Sequence, residues 1–143
     1  MANVDPARSA QMSLVRSRDT KPEMRVRRAL HAAGLRFRLH DRRLPGTPDL
    51  VFPSRRIALF VHGCFWHRHQ GCVRARLPKT KLDFWEPKLS GNVTRDRRNT
   101  AELESLGWTV MVIWECETAD PARIASLVEQ INGVRRLERR PPA

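Results

Sequence analysis

A chain of 143 residues carrying 27 lysines and arginines against 15 acidic residues has a formal charge of +12 and an isoelectric point near 11.3. That length suits one domain able to bury a core without disulfides, and that charge calls for a polyanionic partner, nucleic acid first among the candidates. The longest apolar runs, IALFV and WTVMVIW, are far too short to span a bilayer, and no basic amphipathic helix is long enough to lie in one. The N-terminus lacks an apolar signal core, so a soluble cytoplasmic protein is expected, with no membrane partner. Three cysteines cannot all pair within one chain, and their grouping with histidines in a reducing compartment favours a metal over a disulfide.

Residues 1–18 show little apolar periodicity and are expected to form a flexible basic arm ahead of a folded domain over 19–134. Thr20-Lys-Pro-Glu23 is a capping box with proline in the first turn, and Met24, Val26, Ala29, Leu30 and Ala33 continue a helical stripe that stops at Gly34. LRFRL alternates apolar and basic side chains like a strand with one buried face, and the turn-rich DRRLPGTP follows. DLVF and IALFV, separated only by PSRR, predict a hairpin buried on both sides, with Asp49 and His62 at strand ends.

Beyond a Cys/His segment, TKLDFWEPKLSGNVTRDRRNTAELESLGW predicts helical pieces broken near Pro87 and Gly91, the second ending at Gly107. WTVMVIW is a last central strand, with Trp108 and Trp114 assigned to the core. Asp120 and Pro121 open a terminal helix whose Ile124, Leu127, Val128 and Ile131 share a face, and 135–143 form a loose tail. The order α-β-β-β-α-β-α predicts a single α/β domain, a small mixed sheet flanked by helices.

Cys64, His69 and Cys72 have the spacing C-x4-H-x2-C, which lets one short loop present two thiolates and an imidazole to an ion. Cys116, immediately beyond the last strand, can return to complete a tetrahedral set of the kind that holds structural zinc. Spacing alone leaves His62 and His67 as rivals to His69, and three unliganded buried cysteines as the plainer alternative. Asp49 and His62 fall together if the hairpin forms, and a strand-end carboxylate with supporting groups suffices for Mg²⁺. His67 is then available as a general base. Each has a plainer reading as well: a turn aspartate, a solvated histidine and, for Glu23, a capping-box glutamate.

PGTPDL, FVHGCFWHRHQGC, FWEPKLSGNVTRDRRN and LGWTVMVIWEC together resemble the very-short-patch-repair endonucleases, which nick DNA beside a T:G mismatch; the resemblance runs from Arg18 to Cys116. It implies a restriction-endonuclease-like fold and a catalytic, Mg²⁺-binding aspartate at Asp49, with the Val61 backbone carbonyl as a further ligand. By the same resemblance His62 and His67 are active-site histidines, Glu23 acts through metal-bound water, and Asp96 supports a histidine. Zn²⁺ falls to Cys64, His69, Cys72 and Cys116. Phe65, Trp66 and Trp85 match rings that enter the base stack.

Two features depart from the family pattern. Val61 stands where many members have threonine, and HRHQGC is one residue longer than the related HHHHC. The second acidic residue and the lysine usual in restriction-type sites are absent, and the two histidines replace them. The implied substrate is duplex DNA with a T:G mismatch from deaminated 5-methylcytosine, nicked 5′ to the thymine by a monomeric bacterial enzyme, with repair proteins as candidate partners. Arg95, Arg97 and Arg98 are candidate phosphate contacts. A zinc-stapled DNA-binding module and a nuclease cutting fully paired sites remain as competing readings.

Overall fold

The computed structural model describes residues 19–135; the arm expected over 1–18 and most of the tail expected over 135–143 lie outside them. Helix α1 (Lys21–Ala32) starts as its sequence requires: the Thr20 side chain accepts the Glu23 amide, Pro22 occupies the first turn, and Val26 and Leu30 are buried. Gly34, at φ +84°, and the bond from the Leu35 amide to the Leu30 carbonyl close the helix.

That closure shortens the strand expected from LRFRL. Leu35 belongs to the helix cap, Phe37 packs edge-on against Phe52 at 5.8 Å, and only Arg38–Leu39 pair as β1. His40, at φ +47°, then turns the chain away.

Strands β2 (Leu50–Phe52) and β3 (Ile57–His62) form the expected hairpin, with Phe52 opposite Ile57 and Leu50 opposite Leu59. All three β2 residues are buried, as a strand covered on both faces demands. β4 (Thr109–Trp114) lies parallel to β3, Ile57 opposite Thr109 and His62 opposite Trp114. The sheet order is β1-β2-β3-β4, mixed, with antiparallel pairs on one side and a parallel pair on the other.

Helix α2 (Leu82–Ser105) corrects the expectation of broken pieces: it runs unbroken for 24 residues through Pro87 and Gly91. Pro87 sits only six positions into the helix, so the one carbonyl it leaves without an intrahelical donor is that of Asp83, in the exposed first turn. Gly91 costs about 1 kcal/mol against alanine, which the burial of Leu89 and Leu103 can outweigh. Helix α3 (Pro121–Gly133) is capped by Asp120, which accepts the Ala122 amide, and buries Leu127 and Ile131.

The core joins α1, α3 and one face of the sheet through Val26, Leu30, Leu50, Leu59, Ile113, Leu127 and Ile131. The architecture is a small α/β domain with a four-stranded mixed sheet and three helices. Neither Trp108 nor Trp114 joins the core. Trp108 is half-buried beneath the Arg56 guanidinium, 5.5 Å from the ring centre, and Trp114 lies at the far end of β4 among histidines.

Candidate active site and metal clip

The C-terminal end of β3 outruns β2, and the two candidate centres are built there. Asp49 stands one residue before β2, after a turn in which Gly46 and Thr47 both have positive φ. Gly46 is required: a Cβ there would come within 3.0 Å of the Asn99 side chain on α2. The Asp49 Oδ2 accepts the Val61 amide at 2.7 Å, so the carboxylate caps the β2–β3 ladder where β2 begins.

Glu23 from the first turn of α1 reaches the same place and is 1 % exposed. It accepts the Asp19 amide, Arg27 Nη1 and His40 Nε2, the last at 2.9 Å. Burial above all pushes Asp49 up to about 7, against the pull of the Val61 amide, and the neighbouring Glu23 carboxylate adds to the rise. Two carboxyl groups crowded in a half-dry site suit a cation.

Across the cleft, which encloses about 1000 Å³, His62 and His67 stack at 3.9 Å between centroids, 5° from parallel. The His67 Nδ1 is 2.6 Å from Asp96 Oδ2 on α2. Burial, then the neighbouring His67, lowers His62 to about 4, so it is a neutral imidazole at neutral pH. Its Nδ1 is buried and has no hydrogen-bond partner among the described residues. A native core seldom leaves such an atom unmatched unless something polar arrives to meet it.

The loop after β3 brings the sulfur atoms together. The His69 amide donates to the Cys64 carbonyl at 2.9 Å, a turn that swings His69 Nδ1 to 3.6 Å from Cys64 Sγ and 3.4 Å from Cys116 Sγ. One donor atom from each of Cys64, His69, Cys72 and Cys116 lies within 4.8 Å of the others. Zinc bonds of about 2.0–2.3 Å in a tetrahedron give edges of roughly 3.5–3.8 Å, so this donor set has the size and chemistry for such an ion. His62 and His67, the rivals left open by spacing, lie instead with Asp96 in the cleft. Burial pushes the Cys64 thiol up to about 12, so without a cation that thiol stays protonated at neutral pH.

Beside the clip, Phe65, Trp66 and Trp85 converge edge-to-face, with centroids 5.2–6.0 Å apart. Asn92 Nδ2 ties the Trp66 carbonyl to α2 at 2.9 Å. Phe84, 56 % exposed and 4.9 Å from Trp85, extends this aromatic group, and Lys88 lies over both Trp66 and Phe84. Arg95, Arg97 and Arg98 are exposed. None of the three is among the residues that line the cleft.

Three participants escaped the sequence reading. Phe84 adjoined a predicted wedge residue and could have been found from that position. Trp114, assigned to the core, stacks on His69 at 4.3 Å and meets His62 edge-on at 5.1 Å, standing between the two centres. His40 lay in a segment that signalled only a turn.

Comparison with known proteins converges on one family. The model for the DNA mismatch endonuclease Vsr matches residues 3–74. The chain is 53 % identical over 120 residues to the type II nicking enzyme V.XorIIP of Xanthomonas oryzae pv. oryzae, covering 84 % of this chain and 88 % of that one. It is 41 % identical over 128 residues to the type II nicking enzyme V.NmeAIP of Neisseria meningitidis, covering 87 % and 91 %. It is also 45 % identical over 109 residues to the DNA mismatch endonuclease Vsr of Escherichia coli K12, covering 76 % and 69 %. With a cleft of carboxylates and paired histidines beside a cysteine clip, the chain belongs to the Vsr family of DNA endonucleases.

Proposed function

We propose that this nuclease nicks one strand of duplex DNA on the 5′ side of the thymine in a T:G mismatch, by Mg²⁺-dependent phosphodiester hydrolysis. The observation that carries the reading is the cleft itself: Asp49 and Glu23 face a stacked His62–His67 pair whose buried His62 Nδ1 awaits a polar partner. Asp49, with the Val61 carbonyl, would hold Mg²⁺, and Glu23 beside it would orient water. When bound, that ion supplies Lewis-acid polarisation of the phosphate and stabilises the leaving oxygen.

The rest is the work of the chain's own groups. Asp96 accepts from His67 Nδ1, which leaves Nε2 to take the proton of the attacking water and the carboxylate to stabilise the resulting imidazolium. His62, uncharged, lets a cationic His67 form against its face without a second positive charge, and its buried Nδ1 has no hydrogen-bond partner among the described residues. Arg95 and Arg97 serve phosphates along the strand.

Selection of the mismatch falls to the rings. Phe65, Trp66 and Trp85 form a wedge anchored by Asn92 and by the clip, for which the Cys64, His69, Cys72 and Cys116 set fits Zn²⁺. A mismatched step opens at less cost than a paired one, so a stiff wedge discriminates by deformability as well as by contact. The relatives' names, nicking enzymes and a mismatch endonuclease, agree with single-strand cleavage. On this reading the protein acts on DNA as a monomer in the bacterial cytoplasm; no helix among the described residues is long and apolar enough to cross a membrane.

End-labelled paired and T:G duplexes, incubated in Mg²⁺ with wild type or Asp49→Ala, test the proposal. A nick confined to the thymine strand of the T:G duplex, made by wild type alone, is expected. Equal cutting of the paired duplex, or nicking by Asp49→Ala, refutes it.

A further inference from the structure

We infer that His40 is a positioning residue that sets the Glu23 carboxylate against Asp49, an assignment that rests on the role proposed above for these two acids. Two contacts from one residue carry it. The His40 backbone N–H donates to the Asp49 carbonyl at 3.1 Å, and its ring Nε2 lies 2.9 Å from Glu23 Oε2. His40 therefore links α1 to the start of β2, holding one acid by the main chain of its residue and the other by its side-chain oxygen.

The backbone makes this reach possible. At φ +47°, His40 occupies the left-handed region, which histidine enters more readily than most side chains, and it leaves the strand direction directly after β1. The ring is 14 % exposed and lines the same cleft as the histidine pair.

Both oxygens of Glu23 are engaged, Oε1 by the Asp19 amide and Oε2 by Arg27 and His40 together. Arg27 is itself held by Asp19 Oδ1 at 2.6 Å. Neither Asp19 nor Arg27 lines the cleft. His40 does, and it shares Glu23 Oε2 with Arg27, so its hydrogen bond is the contact that fixes this oxygen from a cleft-lining residue. With an acceptor carboxylate as partner, the ring donates from Nε2. Without that bond Oε2 keeps only the Arg27 contact, from a residue outside the cleft, and the Glu23 carboxylate beside Asp49 loses its cleft-side restraint. Partners of this kind, one bond removed from the reacting groups, are worth about 10–100-fold in metal affinity or activity when removed.

Two substitutions separate this role from a purely backbone one. Asparagine tolerates the left-handed region well but is too short to reach Glu23, whereas glutamine has the reach and the donor. Nicking of a T:G duplex is followed at varied DNA concentration, and Mn²⁺ binding to the DNA-free protein, with its clip metal retained, is followed by electron paramagnetic resonance. The expectation is that His40→Asn loses roughly 10–100-fold in kcat, with KM for DNA unchanged and Mn²⁺ affinity reduced in step, while His40→Gln recovers most of both. His40→Asn matching or surpassing His40→Gln in both readouts overturns the inference. An Asp49→Ala control separates the two levels: if it nicks, the catalytic reading fails; if it is inactive while His40→Asn retains wild-type kcat and Mn²⁺ affinity, only the role of His40 fails.

Discussion

Replacing Asp49 by asparagine should abolish nicking and yet stabilise the Mg²⁺-free protein at alkaline pH. Asp49 is raised from 3.8 to about 7 in the fold, chiefly by burial. In the unfolded chain the group ionises near 4, so between there and about pH 7 the native state holds a proton that the unfolded state has lost. Its contribution to stability is therefore full below pH 4 and declines as pH rises through 7. Three pH units at about 1.4 kcal/mol each place the ceiling near 4 kcal/mol.

His62 has the opposite sign. Its folded value of about 4 lies below the free 6.5, so the unfolded state takes up the extra proton and stability is gained as pH rises over that window. The two offset each other in the wild-type curve, and the difference between wild type and variant isolates Asp49. Asparagine keeps an oxygen for the Val61 amide and offers Glu23 a donor in place of a competing charge. Urea unfolding of clip-loaded protein without Mg²⁺ should show the two proteins alike near pH 4.5, with the variant ahead by about 2–4 kcal/mol at pH 8. Added Mg²⁺ should then raise wild type alone. Parallel curves from pH 4.5 to 8, or a variant less stable than wild type at pH 8, would refute the account of a site held under electrostatic load until its cation arrives.

Asp96→Asn should lower kcat by roughly 10²–10³ with KM for DNA unchanged, because an amide can satisfy His67 in the wrong tautomer and offers no charge to the imidazolium; steady-state nicking rates check this. Cys72→Ser should reduce the zinc content found by elemental analysis and cost about tenfold or more in preference for T:G over paired duplex, while far-UV ellipticity is kept. The core of α1, α3 and the sheet does not depend on the clip, so the loss should appear in recognition before it appears in folding.

The legible parts of this molecule were those whose cause is local. Thr20 to Glu23 carried its own cap, and two apolar runs four residues apart had little choice but to pair. The four clip residues were legible as a set by type and spacing. Spacing alone left His69 level with His62 and His67; the resemblance named His69, and the turn that bonds its amide to the Cys64 carbonyl sets it beside Cys64 and Cys116. Pro87 misled because a proline six positions into a helix leaves unpaired only a carbonyl already exposed to water. LRFRL misled because Leu35 was claimed by the preceding helix cap. His40 and Trp114 were not legible at all: one depends on a left-handed turn, the other on the parallel register that sets His62 opposite Trp114.

That register also explains why two centres of different chemistry share one end of the sheet. β3 delivers His62 to the cleft and, two residues later, Cys64 to the clip; β4, in parallel, delivers Trp114 and then Cys116 two residues on. A parallel pair keeps both strand ends on the same side, which an antiparallel pair would not do. The indole of Trp114 then fills the space between, lying flat on His69 and edge-on to His62. A clip ion that fixes the plane of His69 would thereby fix Trp114, and through it the His62 ring that lines the cleft. The clip can thus set the geometry of the cleft while leaving its own coordination closed to substrate.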